Sequence, residues 1–243
     1  MLLLASLIIC LAAAAQAITG FGFALVLVPL LALLYEPRIV VMVSISLGLL
    51  SKLPLLAQSW RQVEPVRIAP LCLASLVGSV AGTQLLLRID SNALRLGIGL
   101  VVIALASPLL FERRWPARRE GLAALGVGLV SGALNGATGM GGPPVVLLGV
   151  NQAWGKESFR ANLLAFFVVS NSGSLALLVL ASAVTPAVLE LDAALVPGLA
   201  IGLVLGSALF RVIPGDRFRQ FVVLLVIATG LLSVWTGGRA LLQ

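Results

Sequence analysis

The sequence predicts an all-α, polytopic helical membrane protein made of two inverted repeats, with broken or re-entrant helices that meet near the bilayer midplane. Three observations predict this fold: the composition, a repeated glycine motif and the distribution of positive charge. Hydrophobic residues make up 60% of the 243 residues, charged residues make up 10%, and mean hydropathy is +1.14. Soluble domains have about 45–50% apolar and about 25% charged residues, so the chain is expected to lie in the lipid bilayer.

Five apolar segments are predicted in the first repeat, residues 1–111. The second of them has only 13 residues, which reach about 20 Å of a hydrocarbon core that is about 30 Å thick. It is therefore expected to be one arm of a broken or re-entrant helix. The five segments are Leu2–Ile18, Phe23–Tyr35, Ile39–Gln58, Val66–Leu87 and Ala93–Phe111.

The second repeat, residues 121–243, follows the same plan after a basic linker, residues 112–120. Its second segment is again short, and a brief amphipathic connection, Pro186–Asp192, is predicted before its fourth segment. The five segments are Gly121–Ala137, Pro143–Ala153, Phe159–Ala181, Ala193–Ile213 and Phe218–Thr236.

A Thr-Gly-x-Gly motif follows the first segment of each repeat. Thr19 begins the first copy and Thr138 begins the second, 119 positions later, and an amide residue precedes each threonine by three positions. Glycine tolerates positive φ and proline lacks an N–H donor, so the run from Gly139 through Pro144 cannot continue a helix. Residues 89–95 also resemble residues 213–219. Internal duplication explains these ordered matches, and chance similarity of apolar sequence is the alternative.

Positive charge favours an inverted arrangement of the repeats. In one arrangement, the first segment and the short second segment of each repeat have their outer ends on the same side of the membrane. Most loop arginines and lysines then fall on one side. If each pair forms one broken span, these charges divide almost evenly. The positive-inside rule favours the first arrangement. It predicts a multi-pass protein of the cytoplasmic (inner) membrane, with the linker in the cytoplasm and both termini outside.

The two breaks have the chemistry of an anion site. Non-helical backbone at membrane depth must be buried in protein or line a hydrated cavity, and each short helix would direct its N-terminal amides at the break. The alternatives are threonine bonds within the helix and glycines that only permit close packing. The predicted substrate-binding residues of the breaks are Gln16, Thr19, Gly20, Gly22, Asn135, Thr138, Gly139, Gly141 and Gly142.

Lys52 is the one lysine predicted inside an apolar segment, and Asn171 lies 119 positions after it. An ammonium at that depth is costly unless it is partnered or hydrated, so both residues are added to the predicted substrate site. Snorkelling of Lys52 to an interface is the alternative. All carboxylates are predicted at or near segment ends, which leaves no buried proton carrier.

The sequence also argues against several classes of protein. It contains no histidine and no Gly-x-x-x-x-Gly-Lys-Ser/Thr motif, so His-dependent catalysis, a His-ligated metal and Walker-type nucleotide hydrolysis are not expected. No cofactor or metal, no enzymatic activity and no nucleic-acid partner are predicted. The expected partners are a small anionic substrate and the bilayer, and a homodimer is left open.

The motifs Ala17-Ile-Thr-Gly-Phe-Gly22 and Asn135-Gly-Ala-Thr-Gly-Met-Gly-Gly-Pro143, with the two-half layout, resemble those of the TauE/SafE family of sulfite and organosulfonate exporters. The resemblance implies transport of a small sulfur-containing anion or a related carboxylate. The predicted function is therefore a secondary transporter, working as an exporter of sulfite, a sulfonate such as sulfoacetate or taurine, or a carboxylate, by alternating access. An anion channel and a non-transporting membrane assembly subunit are the alternatives.

Overall fold

The computed structural model describes residues 1–90, 93–94 and 120–212, and these form an all-helical bundle. Six of its helical stretches are long and apolar enough to cross a membrane. Two shorter helices follow the two breaks. The helices are α1 (Leu2–Thr19), α2 (Phe23–Leu31), α3 (Pro37–Ser59), α4 (Pro65–Arg88), α5 (Glu120–Thr138), α6 (Gly142–Asn151), α7 (Lys156–Leu180) and α8 (Pro186–Val212).

Most predicted segments correspond to one helix each, and one expectation was wrong. The amphipathic connection predicted at Pro186–Asp192 is the beginning of α8, a continuous helix of 27 residues. Pro186 suits the first turn because proline there removes no helical hydrogen bond. Asp192 therefore lies inside a membrane-length helix. The predicted segment Ala93–Phe111 beyond residue 94, the linker before Glu120, and Phe218–Thr236 lie outside the described residues.

Helices α4 and α5 pack closely through small residues. A Cβ on Gly78 would lie 2.1 Å from the carbonyl oxygen of Leu129, and one on Gly82 would lie 2.0 Å from that of Ala133. Only glycine permits this approach. Lipid tails are as apolar as the side chains, so burial of apolar surface gives membrane helices little free energy of association. Close backbone packing of this kind is therefore a main source of helix association.

Helices α1 and α8 repeat this contact. A Cβ on Gly202 would lie 2.2 Å from the carbonyl oxygen of Cys10, and one on Gly206 would lie 2.5 Å from that of Ala14. Gly202 and Gly206 lie 124 positions after Gly78 and Gly82. The carbonyls that they contact in α1 lie 119 positions before the carbonyls contacted in α5. The first helix of each half thus packs against the fourth segment of the other half.

Helices α3 and α7 contact each other. Helix α3 also contacts α2 and α8, while α7 also contacts α4, α5 and α6. These two helices carry the polar positions that face the breaks. The inverted orientation of the halves across a bilayer stays a prediction.

Candidate functional site

The first break has a defined turn conformation. Gly20 ends α1 with φ of 84°, in the left-handed region that side chains rarely adopt, and its N–H donates to the Gln16 carbonyl at 2.7 Å. The Thr19 hydroxyl donates to the Ala15 carbonyl at 2.8 Å and accepts the N–H of Phe21 at 3.3 Å. The threonine side chain therefore joins the end of α1 to the residue after the turn.

The second break has the same conformation. Gly139 has φ of 73°, and its N–H donates to the Asn135 carbonyl at 2.8 Å. The Thr138 hydroxyl donates to the Leu134 carbonyl at 2.8 Å and accepts the N–H of Met140 at 3.2 Å. Each threonine hydroxyl has one proton, which is used inside the break in both copies. Contact of either threonine with a ligand stays a prediction.

The two breaks lie against each other. The run from Gly139 through Pro144 was predicted to be non-helical throughout, but α6 already begins at Gly142, with Pro143 and Pro144 in its first turn. A Cβ on Gly142, directly after the second break, would lie 3.3 Å from the Phe21 ring of the first break and 3.7 Å from the Phe167 ring of α7. Phe21, Gly139, Met140 and Gly142 line one cavity together with side chains from α3 and α7. The sequence expectation of a cavity between the breaks agrees with this arrangement.

The cavity is small. The volume open to the centre of a water molecule is about 20 Å³, and about 10–15 Å³ on this measure holds one water. The described conformation therefore has room for about one water molecule. An anion of four or more heavy atoms needs movement of the aromatic walls before it fits.

Lys52 supplies the charge of the cavity. Its side chain is 4% exposed, and its ammonium donates to the Gly48 carbonyl at 2.7 Å. The nitrogen lies 5.7 Å from the centroid of the Phe23 ring and 5.5 Å from that of Phe167, within the range of a cation–π contact. Among the described residues, no carboxylate pairs with it. Two of its three N–H donors are thus free for a ligand.

Ser44 adds a second unused donor. Its side chain is 2% exposed, it lines the same cavity, and its hydroxyl has no hydrogen-bond partner. A Cβ on Gly139 would lie 3.1 Å from this hydroxyl oxygen. A buried hydroxyl without a partner is destabilising. An anion beside Gly139 would remove this cost.

Asn135 and Asn171 form the polar wall of the second half. The Asn135 amide donates to the side-chain oxygen of Asn171 at 2.9 Å, and the Asn171 amide donates to the Ile45 carbonyl at 3.3 Å. Both asparagines line the cavity. This pair holds α5, α7 and α3 together beside the ammonium of Lys52.

Gln16, the counterpart of Asn135 in the first half, does not line the cavity. The Gln16 amide donates to the Ser51 hydroxyl at 2.6 Å, while the side-chain oxygen of Gln16 is buried with no partner. Ser170, the counterpart of Ser51, also has a buried hydroxyl without a partner. The two halves thus share a pattern, but the wall is asymmetric, since only Phe21 of the first motif lines the cavity.

The predicted site residues divide into two groups. Lys52, Asn135, Gly139, Gly142 and Asn171 line the cavity. The others form the turns or pack beside them and do not line it: Gln16, Thr19, Gly20, Gly22, Thr138 and Gly141. Gly141 contributes through its carbonyl, which accepts a hydrogen bond from Ser131. Whether either group binds substrate stays a prediction.

Sequence reasoning missed the role of Arg160. The sequence analysis placed it at the start of the segment Phe159–Ala181 and gave it no role, but it is 5% exposed and its Nε donates to the Ala17 carbonyl at 2.7 Å. Ala17 is in the last turn of α1, where carbonyls lack helical partners. A Cβ on Gly20 would lie 2.8 Å from the Arg160 carbonyl oxygen. Nothing in the residue pattern around Arg160 signalled this long-range cap.

The profile of the family described as sulfite exporter TauE/SafE matches residues 5–233, which is nearly the whole chain. The chain belongs to this family. As a TauE/SafE protein it is a multi-pass membrane protein of the sulfite or anion exporter type of transport, and the family consists of transporters and not of enzymes. Searches of curated proteins and of solved structures find no match.

Proposed function

We propose that this TauE/SafE protein is a secondary transporter that exports a small anion through the cavity between the two breaks. The substrate class is sulfite, a sulfonate such as sulfoacetate or a taurine-like compound, or a related carboxylate. One observation carries the proposal: the buried ammonium of Lys52 borders this cavity and has no carboxylate partner in the described part of the chain. A buried charge of this kind is strongly destabilising without a counter-ion, and the substrate supplies one.

The donors around the cavity suit an oxyanion. Lys52 offers two free N–H groups and Ser44 offers one hydroxyl. Gly139 and Gly142 line the cavity and have no side chain of their own to cover the backbone there. Donors outnumber free acceptors here, which favours an acceptor-rich ligand such as a sulfonate or carboxylate.

The size of the cavity supports alternating access. With room for about one water molecule, the cavity is too small for the anion in the described conformation. Binding then requires separation of Phe21 from Gly142 and Phe167, which belong to the two breaks and to α7. Opening of this aromatic contact to one side at a time is the conformational step that we assign to transport.

Export follows from the sign of the substrate charge. An inside-negative potential contributes about 2.3 kcal/mol per charge per 100 mV, so a monovalent anion leaves the cytoplasm downhill. The charge distribution of the sequence supports a cytoplasmic linker and external termini in the inner membrane. No coupling ion is required for this direction.

Flux measurements in proteoliposomes test the proposal. Purified protein is reconstituted, and uptake of labelled sulfite, sulfoacetate, taurine and acetate is measured at imposed potentials and equal pH on both sides. We expect saturable flux of at least one anion, accelerated when the potential drives the anion. Absence of flux for all four, with folding verified by circular dichroism, contradicts the proposal.

Electrical recording separates a carrier from a channel. Unitary currents in a planar bilayer would favour the anion channel, whereas saturable flux without unitary events favours alternating access. The Lys52→Gln variant ties the flux to this cavity. It keeps a hydrogen-bond donor but removes the charge, so the apparent affinity for the transported anion should fall.

A further inference from the structure

Asp192 places a carboxyl group inside a membrane-length helix, away from the anion cavity. It is the seventh residue of α8, about 9 Å from the start of the helix at about 1.5 Å per residue. Its Oδ2 lies 2.6 Å from the hydroxyl oxygen of Ser46 in α3. Its other oxygen, Oδ1, is enclosed and has no hydrogen-bond partner.

Ser46 has one hydroxyl proton and three acceptors within reach. These are Oδ2 of Asp192 at 2.6 Å, the Met42 carbonyl at 3.0 Å and the Val43 carbonyl at 3.2 Å. When Asp192 is ionised, Ser46 donates to the carboxylate. When Asp192 is protonated, its O–H donates to the hydroxyl oxygen and Ser46 donates to a backbone carbonyl. Both protonation states therefore keep the contact without movement of heavier atoms.

No cation pairs with Asp192 among the described residues. Helices α1 and α3 pack against α8. Lys156 and Arg160 of α7 also contact α8, at Phe210, which lies 18 positions after Asp192. The charged or titratable side chains on α1, α3 and α8, apart from Asp192 itself, are Cys10, Arg38, Lys52, Glu190 and Arg211. Arg38 donates to the Ile89 carbonyl at 2.8 Å, and Lys52 donates to the Gly48 carbonyl. An ionised carboxylate without a counter-ion is costly in a membrane segment, which favours binding of a cation.

The proton is the cation that fits this place. Hard metal ions such as Mg²⁺ and Ca²⁺ take about six or more oxygen ligands. The described residues offer only the carboxyl group and the Ser46 hydroxyl at hydrogen-bond distance. A proton needs no more than one carboxyl oxygen and one acceptor, and both are present.

We propose that Asp192 and Ser46 form a proton-binding site whose occupancy raises the affinity of the cavity for its anion. The inference rests on the proposed function, because it assumes an anion in the cavity. Helix α3 connects the two places: Ser44 lines the cavity and Ser46 contacts Asp192. An ionised Asp192 repels the anion, and protonation removes that repulsion. By linkage, the anion favours proton binding by the same factor.

Affinity measured against pH tests the link. The probe is methanesulfonate, which stays ionised at neutral and mildly acidic pH, so its own charge does not change. We expect its apparent affinity, from flux or from thermal stabilisation, to be at least about fivefold tighter at mildly acidic than at neutral pH. Asp192→Asn should remove this pH dependence and keep the tighter affinity. Glu190→Gln alters an exposed carboxylate on the same helix and should keep the pH dependence of wild type.

Infrared spectroscopy tests the proton site independently of transport. The difference spectrum of wild type minus Asp192→Asn should show a carboxylic acid C=O band that grows as pH falls and that shifts in frequency in Ser46→Ala. Absence of that difference band, or pH-dependent affinity that persists in Asp192→Asn, overturns the inference. A response to Na⁺ in place of pH also overturns it. If no anion binds, the proposed function fails, and the infrared titration still decides whether Asp192 binds a proton.

Discussion

Replacement of Lys52 by methionine separates a functional charge from a structural one. In the cavity the ammonium has one hydrogen bond and two unused donors. A charge-assisted hydrogen bond contributes about 1.5–3 kcal/mol. One such bond to the anion corresponds to about a 10- to 150-fold change in affinity. Lys52→Met should therefore weaken the apparent affinity for the transported anion by about that factor.

The same variant should not lose stability without the anion. Methionine fills similar space between Phe23 and Phe167, and it removes a buried ammonium that has no carboxylate partner in residues 1–90, 93–94 and 120–212. Burial of a charge costs several kcal/mol, so the melting temperature should stay equal or rise. The assay is thermal unfolding in detergent with and without the anion, beside proteoliposome flux.

The other lysine of the chain supplies a matched control. Lys156 begins α7 and does not line the cavity, so Lys156→Met should leave the apparent affinity unchanged. Two results refute the reasoning about Lys52. One is an affinity in Lys52→Met equal to that of wild type, and the other is a clear fall in melting temperature without the anion.

The turn glycine Gly139, the packing glycine Gly82 and the Ser44 hydroxyl give three further predictions. Gly139→Ala should lower stability by about 1–2 kcal/mol because residue 139 has a left-handed backbone. Gly155→Ala, where a Cβ meets nothing within 4 Å, should not lower stability, and thermal unfolding compares the two variants. Gly82→Ala should reduce the yield of folded protein in size-exclusion chromatography. In the control Gly126→Ala, the added Cβ meets nothing within 4 Å and should stabilise its helix by about 0.5–1 kcal/mol. Equal yields of the two variants would contradict the close packing. Ser44→Ala should retain or raise the melting temperature but weaken anion affinity several-fold in flux assays, and unchanged affinity would remove Ser44 from the site.

The sequence predicted the helices and breaks well because both have strong local causes. Apolar runs of membrane length need internal hydrogen bonds, and Gly20 and Gly139 end their helices in the same left-handed turn. Lys52 and Asn171 stand out in the sequence because each is a polar residue in an apolar helix, and their role in substrate binding stays a prediction. Their contact with the same cavity agrees with the 119-residue offset between them.

Contacts between distant helices were harder to predict from sequence. Arg160 caps the end of α1 at Ala17, and Asp192 bonds to Ser46; these pairs are 143 and 146 positions apart. Asp192 was also assigned to the amphipathic connection Pro186–Asp192, which begins with a proline. Proline at the start of a helix is favourable, so this segment was the start of α8.

The exchange of packing partners between the halves has a consequence for how the protein assembles. Helix α1 covers the glycine face of α8, and α4 covers that of α5, so neither half carries its own complement. A fragment cut at residues 112–120 would insert with an open, small-residue surface. Two such fragments made in the same cell should find each other and restore transport, whereas either one made alone should be degraded.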